Sequence, residues 1–160
     1  MRKNIQNDRP VIGPYGVNQE GSDDMYYKGA SLLHTVRQVV NDDDTFRKIL
    51  RGLNSNFYHQ TVTTQQVETY ISQESRKDLS KVFDQYLRTT NVPVLTLKVN
   101  GSQLKYKWDN CVDGFNMPVK LANNQWLTPT TQWQEVPWSN GANRPTVDPN
   151  FYINVNQTAD

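Results

Sequence analysis

The sequence is poor in the residues that metal and nucleophile chemistry need. It has one cysteine, Cys111, and two histidines, His34 and His59. A lone thiol excludes an internal disulfide. Neither histidine has a companion four positions away and there is no Cys-x-x-Cys pair, so no zinc-ligand spacing is present. In particular H-E-x-x-H, which places two histidines one helical turn apart beside a glutamate, does not occur. Neither G-x-S-x-G nor a phosphate loop of the G-x-x-x-x-G-K-[ST] type is found, and Cys111 has no histidine near it in sequence. No window approaches the roughly 20 apolar residues of a membrane-spanning helix. The first thirty residues hold no stretch of signal-peptide type. An excess of one charge is missing too: 17 basic residues face 16 acidic ones, neither in a long block, which argues against a nucleic-acid partner.

What is present changes character along the chain. The first 24 residues, with Pro10, Pro14 and three glycines, have no sustained apolar period and read as an irregular lead-in. From Met25 to about Thr89 apolar residues recur at helical spacing. Ala30, Leu33, Val36 and Val40 line one face of a first helix, with Asp23 or Asp24 placed to accept its free amides. A second helix starts at the acidic cluster Asp42, Asp43, Asp44 and runs through Phe46, Ile49, Leu50 and Leu53. Thr63 and Gln66 have capping-box spacing ahead of Val67, Tyr70 and Ile71. Leu79, Val82, Phe83, Tyr86 and Leu87 give the clearest amphipathic stripe.

After Pro93 the period becomes 2. Leu95, Leu97 and Val99 alternate with Thr96 and Lys98; an Asn100-Gly101 turn leads into Leu104, Tyr106 and Trp108, the signature of a hairpin. Met117, Val119 and Leu121 alternate again, and Phe151, Ile153 and Val155 close the chain. The expectation is an α+β chain: a helical segment over residues 1–90, then a small all-β sandwich or open barrel over 91–160. The four tryptophans fall in the β part. Such rings can stack on sugars, but Trp108 alternates in phase with core residues, and Trp133 and Trp138 are the candidates for exposure.

The stretch DMYYKGASLLHTVRQVVNDDDTFRKILRGLNSNFYHQTVTTQQVETYI closely resembles the region that follows the zinc motif in aminopeptidase N relatives, a family of gluzincin metallopeptidases. Y-x-K-G opens a helix, an acidic turn and an F-x-x-x-L helix come next, and a T-T-capped helix follows, in the family's order. FDQYLRTTNVPVLTLKV is similar to the family's passage from the last helix of its thermolysin-like catalytic domain into a small β-sandwich. The resemblance covers about residues 10–121.

The resemblance implies a role for Tyr26, the first letter of Y-x-K-G. In the family this phenol lies opposite the zinc and donates a hydrogen bond to the oxyanion formed when water attacks the scissile carbonyl. A phenol suits that task as a neutral donor that stays protonated at neutral pH. Without the resemblance, a tyrosine at a helix start reads as a packing residue with its hydroxyl in water. Tyr27, about 100° further round, is expected to pack. Lys28 is either paired with an acidic neighbour or solvated, and Gly29 is expected to permit close backbone approach.

The family's zinc motif, its third zinc-binding glutamate and the glutamate cluster that holds the substrate amine are all missing. The resemblance thus implies a C-terminal portion of a zinc aminopeptidase that acts on peptides, with zinc bound by an N-terminal catalytic region this chain lacks. No cofactor or metal is expected in the chain itself, which should be inactive alone, and helix faces meant for the missing region could mediate self-association. The export signal of a longer parent would lie outside this sequence, so the compartment stays unassigned. A competing reading is a non-catalytic interaction or carbohydrate-binding module on an aminopeptidase-like scaffold.

Overall fold

The computed structural model describes residues 2–17, 21–139 and 144–157; residues 1 and 18–20 of the lead-in and 140–143 of the tryptophan-containing loop lie outside them. A single 3-10 turn, Arg2–Asn4, opens the lead-in, whose remaining described residues are irregular. Four helices follow: α1 (Asp24–Val40), α2 (Asp43–Asn56), α3 (Thr64–Ser75) and α4 (Ser80–Arg88). Six strands come next: β1 (Val94–Asn100), β2 (Gln103–Asp109), β3 (Val119–Lys120), β4 (Trp126–Leu127), β5 (Gln134–Pro137) and β6 (Asn154–Gln157). The architecture is α+β, as the change of period implies, and helix gives way to strand between Arg88 and Val94.

Local signals explain where α2 and α3 start. The Asp42 carboxylate accepts the Thr45 amide at 2.7 Å and caps α2. Thr63 and Gln66 close a reciprocal capping box on α3, with Thr63 Oγ1 accepting the Gln66 amide at 3.2 Å and the Thr63 amide donating to Gln66 Oε1 at 2.8 Å. Gly52, inside α2, has no side chain because a Cβ there would fall on the Tyr70 hydroxyl of α3. In α4, Val82, Phe83 and Tyr86 are buried together with Leu79 just before it, and the buried Tyr86 hydroxyl donates to the Tyr152 carbonyl at 2.6 Å.

α1 departs from expectation in two ways. Of the expected stripe Ala30, Leu33, Val36 and Val40, Val36 is fully buried and Val40 packs on the core, but the buried face is centred elsewhere: the residues inside are Asp24, Lys28, Ser31, Leu32, Thr35, Val36 and Val39, and Leu33 is 41% exposed. The helix is rotated by roughly one residue, about 100°, because polar groups with partners can occupy core positions. Thr35 Oγ1 donates to the Ser31 carbonyl at 2.9 Å and accepts the Tyr152 amide at 3.0 Å. Nor does an aspartate cap α1. Asp23 stands at the N-cap without a side-chain bond to the helix, and Asp24 turns away to the lead-in.

The four-stranded sheet has the order β5-β2-β1-β6. β1 and β2 are antiparallel, with Leu95 opposite Trp108 and Leu97 opposite Tyr106. The hairpin turn is Gly101-Ser102, one residue later than expected, with Gly101 at φ 58° at the first central position. β6 runs parallel to β1. It begins after Phe151 and Ile153, so the expected final strand is shifted and Val155 is 42% exposed. The expected strand through Met117, Val119 and Leu121 shortens to β3, which pairs with β4, while Leu121 forms an isolated antiparallel bridge with Val147. Trp108 donates its indole N–H to the Met117 carbonyl at 3.0 Å, which ties β2 to that second ladder. One hydrophobic cluster runs from Leu32 and Val36 of α1 through α4 to Leu97, Trp108 and Phe151.

Candidate functional site

Tyr26 sits in the first turn of α1 with 68% of its surface exposed. Its backbone N–H is bonded to the Asp23 carbonyl at 3.1 Å, and among the described residues its hydroxyl has no hydrogen-bond partner. Met25 and Leu33 are exposed as well, at 46% and 41%. The first three turns of α1 thus expose Met25, Leu33 and a free phenol, and the exposed Arg37 further along the helix is paired with Asp43. Tyr27 is half-buried.

The inward side of the first two of these turns is polar and closed. Lys28 is wholly buried, so it is not a solvated lysine; its Nζ donates to the Thr89 carbonyl, just past α4, at 2.8 Å. Burial pushes its pKa down from 10.5, and the Asp24 charge four residues earlier pulls it back up. Asp24 is also without exposure, and its two carboxylate oxygens accept the backbone N–H groups of Gln6, at 2.9 Å, and Asn7, at 2.7 Å. Gly29 does not permit a close approach in this chain, since a Cβ at that position would meet nothing within 4 Å.

The sequence singled out Asp24 only as a possible acceptor for the first amides of α1, and Gln6, Asn7 and Thr89 for no role. The one signal for them was the i, i+4 spacing of Asp24 and Lys28, which on a helix brings opposite charges together. The backbone partners carry no side-chain signature at all.

The remaining candidates for chemistry are dispersed. His34 Nε2 lies 3.0 Å from Asn150 Oδ1, while His59, at φ 52° between α2 and α3, is exposed and meets the Tyr58 ring edge to face. Among the described residues no three His, Cys, Asp or Glu side chains converge, so the groups present do not fit a zinc ion. Cys111 is half-buried, and burial raises its pKa above 9.0, away from thiolate chemistry. Trp108 and Trp138 are buried, contrary to the expected exposure of Trp138, and Trp126 packs on Phe151. Trp133 is 49% exposed under the Lys107 ammonium, so the four rings do not form one open row. No helix of the described residues is long and apolar enough to cross a membrane.

No protein-family model matches the sequence. A probable aminopeptidase 2 from Sulfurisphaera tokodaii is 27% identical over 94 residues, which are 59% of this chain and 12% of that protein. The crystal structure of Legionella pneumophila aminopeptidase A in complex with aspartic acid superposes with a TM-score of 0.69 over 99% of this chain, at 19% identity, and the match takes up 20% of that structure. The chain thus resembles a part of one aminopeptidase in sequence and shares the fold of a part of another, and it spans only a small fraction of either.

Proposed function

We propose that the chain is the C-terminal portion of a zinc-dependent aminopeptidase that hydrolyses N-terminal residues from peptides, and that Tyr26 supplies its oxyanion-side hydrogen bond. On this reading residues 1–90 end the catalytic domain and 91–160 form an attached β-sandwich. On the same reading zinc is held by a preceding N-terminal region, and among the described residues of this chain no three candidate ligands converge. The observation that carries the reading is the placement of Tyr26: its hydroxyl is exposed and unpartnered at the start of a helix whose opposite side is buried and fully engaged.

The chemistry asked of Tyr26 is modest. When water adds to the carbonyl of the first peptide bond, the carbonyl oxygen gains negative charge. A phenol O–H held within hydrogen-bond distance gives that oxygen a donor without itself ionising. An exposed hydroxyl bonded to no protein group exchanges only water for substrate, and it raises kcat because its bond to the charged oxyanion is stronger than its bond to the neutral carbonyl. The apolar neighbours Met25 and Leu33 suit a surface covered by the preceding region or by the peptide.

The test is direct. The longer polypeptide containing this chain, purified with one zinc per molecule, is expected to release N-terminal amino acids from peptides. The chain alone is expected to hold no stoichiometric zinc and to release none. One tightly held zinc in the chain alone, or a longer polypeptide without aminopeptidase activity, contradicts the proposal.

A further inference from the structure

The lead-in does more than precede α1. Two successive amides, Gln6 and Asn7, point at one buried carboxylate, and the chain achieves this by taking Asn7 to φ 51°, a left-handed conformation that asparagine tolerates better than most residues. The same residue donates its side-chain N–H to the Tyr152 hydroxyl at 3.1 Å. One residue further on, Asp8 accepts the Ser22 hydroxyl at 2.8 Å, and Ser22 Oγ in turn accepts the Asp24 amide at 3.2 Å. At the other end Arg2 donates to the Asn150 carbonyl at 2.9 Å, and Ile5 packs on the core. Residues 2–8 therefore run across the base of α1 and are fastened on both sides of it.

We propose that residues 2–8 are a strap that fixes the direction in which Tyr26 leaves α1, with Asp24 as the positioning residue. The first turn of a helix lacks half of its backbone bonds and frays readily. Tyr26 lies in that turn, two residues from Asp24. A hydroxyl carried by a fraying turn would sample many positions, whereas an oxyanion donor needs its place set to within a fraction of an ångström. The strap holds the turn from its buried side and leaves the phenol side open. Asp24 can serve this way because its charge is met by two backbone amides, while the buried Lys28 ammonium one turn on is anchored to the Thr89 carbonyl. The proposal rests on the aminopeptidase reading for what Tyr26 does, and on geometry alone for how it is held.

The experiment uses the full chain with 3-fluorotyrosine placed at Tyr26 or, as a control, at the exposed Tyr58 between α2 and α3. Fluorine spectra and amide hydrogen exchange are compared for the parent chain, Asp24→Asn and Gln6→Pro. The second substitution removes one strap amide without touching α1. Both variants are expected to move the Tyr26 fluorine shift toward that of free tyrosine and to speed exchange of the Tyr26 and Lys28 amides at least about tenfold, with Tyr58 unchanged. A Tyr26 signal that stays put in both variants overturns the proposal. So does a Tyr58 signal that moves as far as that of Tyr26, which would make the strap a general support of the fold. Neither readout uses peptidase activity, so failure here leaves the enzymatic reading standing, and failure of that reading leaves this result intact.

Discussion

Helices α1 and α4 pack on each other in one core and mix apolar and polar burial in different proportions. α4 buries Val82, Phe83 and Tyr86 with one polar residue, Gln85, and turns Lys81 and Arg88 outward to pair with Asp84 and Glu68. α1 buries Asp24, Lys28, Ser31 and Thr35 beside Leu32, Val36 and Val39, and leaves Met25, Tyr26 and Leu33 in the open. An ordinary amphipathic helix is stabilised by the apolar area it removes from water. α1 has part of its inner face held by directional bonds instead, to Gln6, Asn7, Thr89 and Tyr152. Directional bonds specify position more narrowly than apolar contact does. A helix built that way suits a side chain whose exact placement matters.

The contrast can be broken by substitution and by pH. Phe83→Ala should cost about 3–5 kcal/mol, the range for removing a buried phenylalanine, read as a lower denaturant midpoint with unchanged slope. A loss below about 1 kcal/mol would mean that α4 is not an apolar anchor.

Lys28 gives a smaller, pH-dependent effect. Its folded pKa is depressed by burial below 10.5. Between that lowered value and 10.5 the unfolded chain carries a proton that the folded chain has lost, so stability rises with pH across the window. Buried Tyr86 and Tyr152 act in the opposite sense above 10.0, because burial raises both of their pKa values. The comparison is therefore the difference between the parent chain and Lys28→Met, in which the rise with pH should vanish. An identical pH dependence in the two would place Lys28 in water. Smallest of all, Leu33→Ser should change stability by no more than about 0.5 kcal/mol; a larger loss would return Leu33 to the core.

The same contrast decides what could be read from the letters. α4 was legible because its apolar stripe is also its buried face, and so were the capping box of Thr63 and Gln66 and the β1–β2 hairpin, whose signals lie within a few residues. α1 was legible as a helix but not in its orientation. Its buried face is set by partners far away in sequence: Thr89 for Lys28, Tyr152 for Thr35, and backbone amides of the lead-in for Asp24. Similarly, β6 pairs in parallel with β1 across most of the β part, and no local pattern records that choice. Tyr26 was picked out by resemblance, since no pattern in the neighbouring sequence distinguishes it from a surface tyrosine. The strap that crosses behind it could not be read, because backbone N–H groups look alike in every sequence.

One substitution bears most directly on the central claim. Tyr26→Phe removes a single hydroxyl from an exposed ring, so the melting temperature of the chain should not change. In the longer enzyme that contains this chain, kcat should fall about a hundred- to a thousand-fold with KM and zinc content unchanged. Full activity in Tyr26→Phe, or a loss that merely tracks lowered stability, would contradict the account.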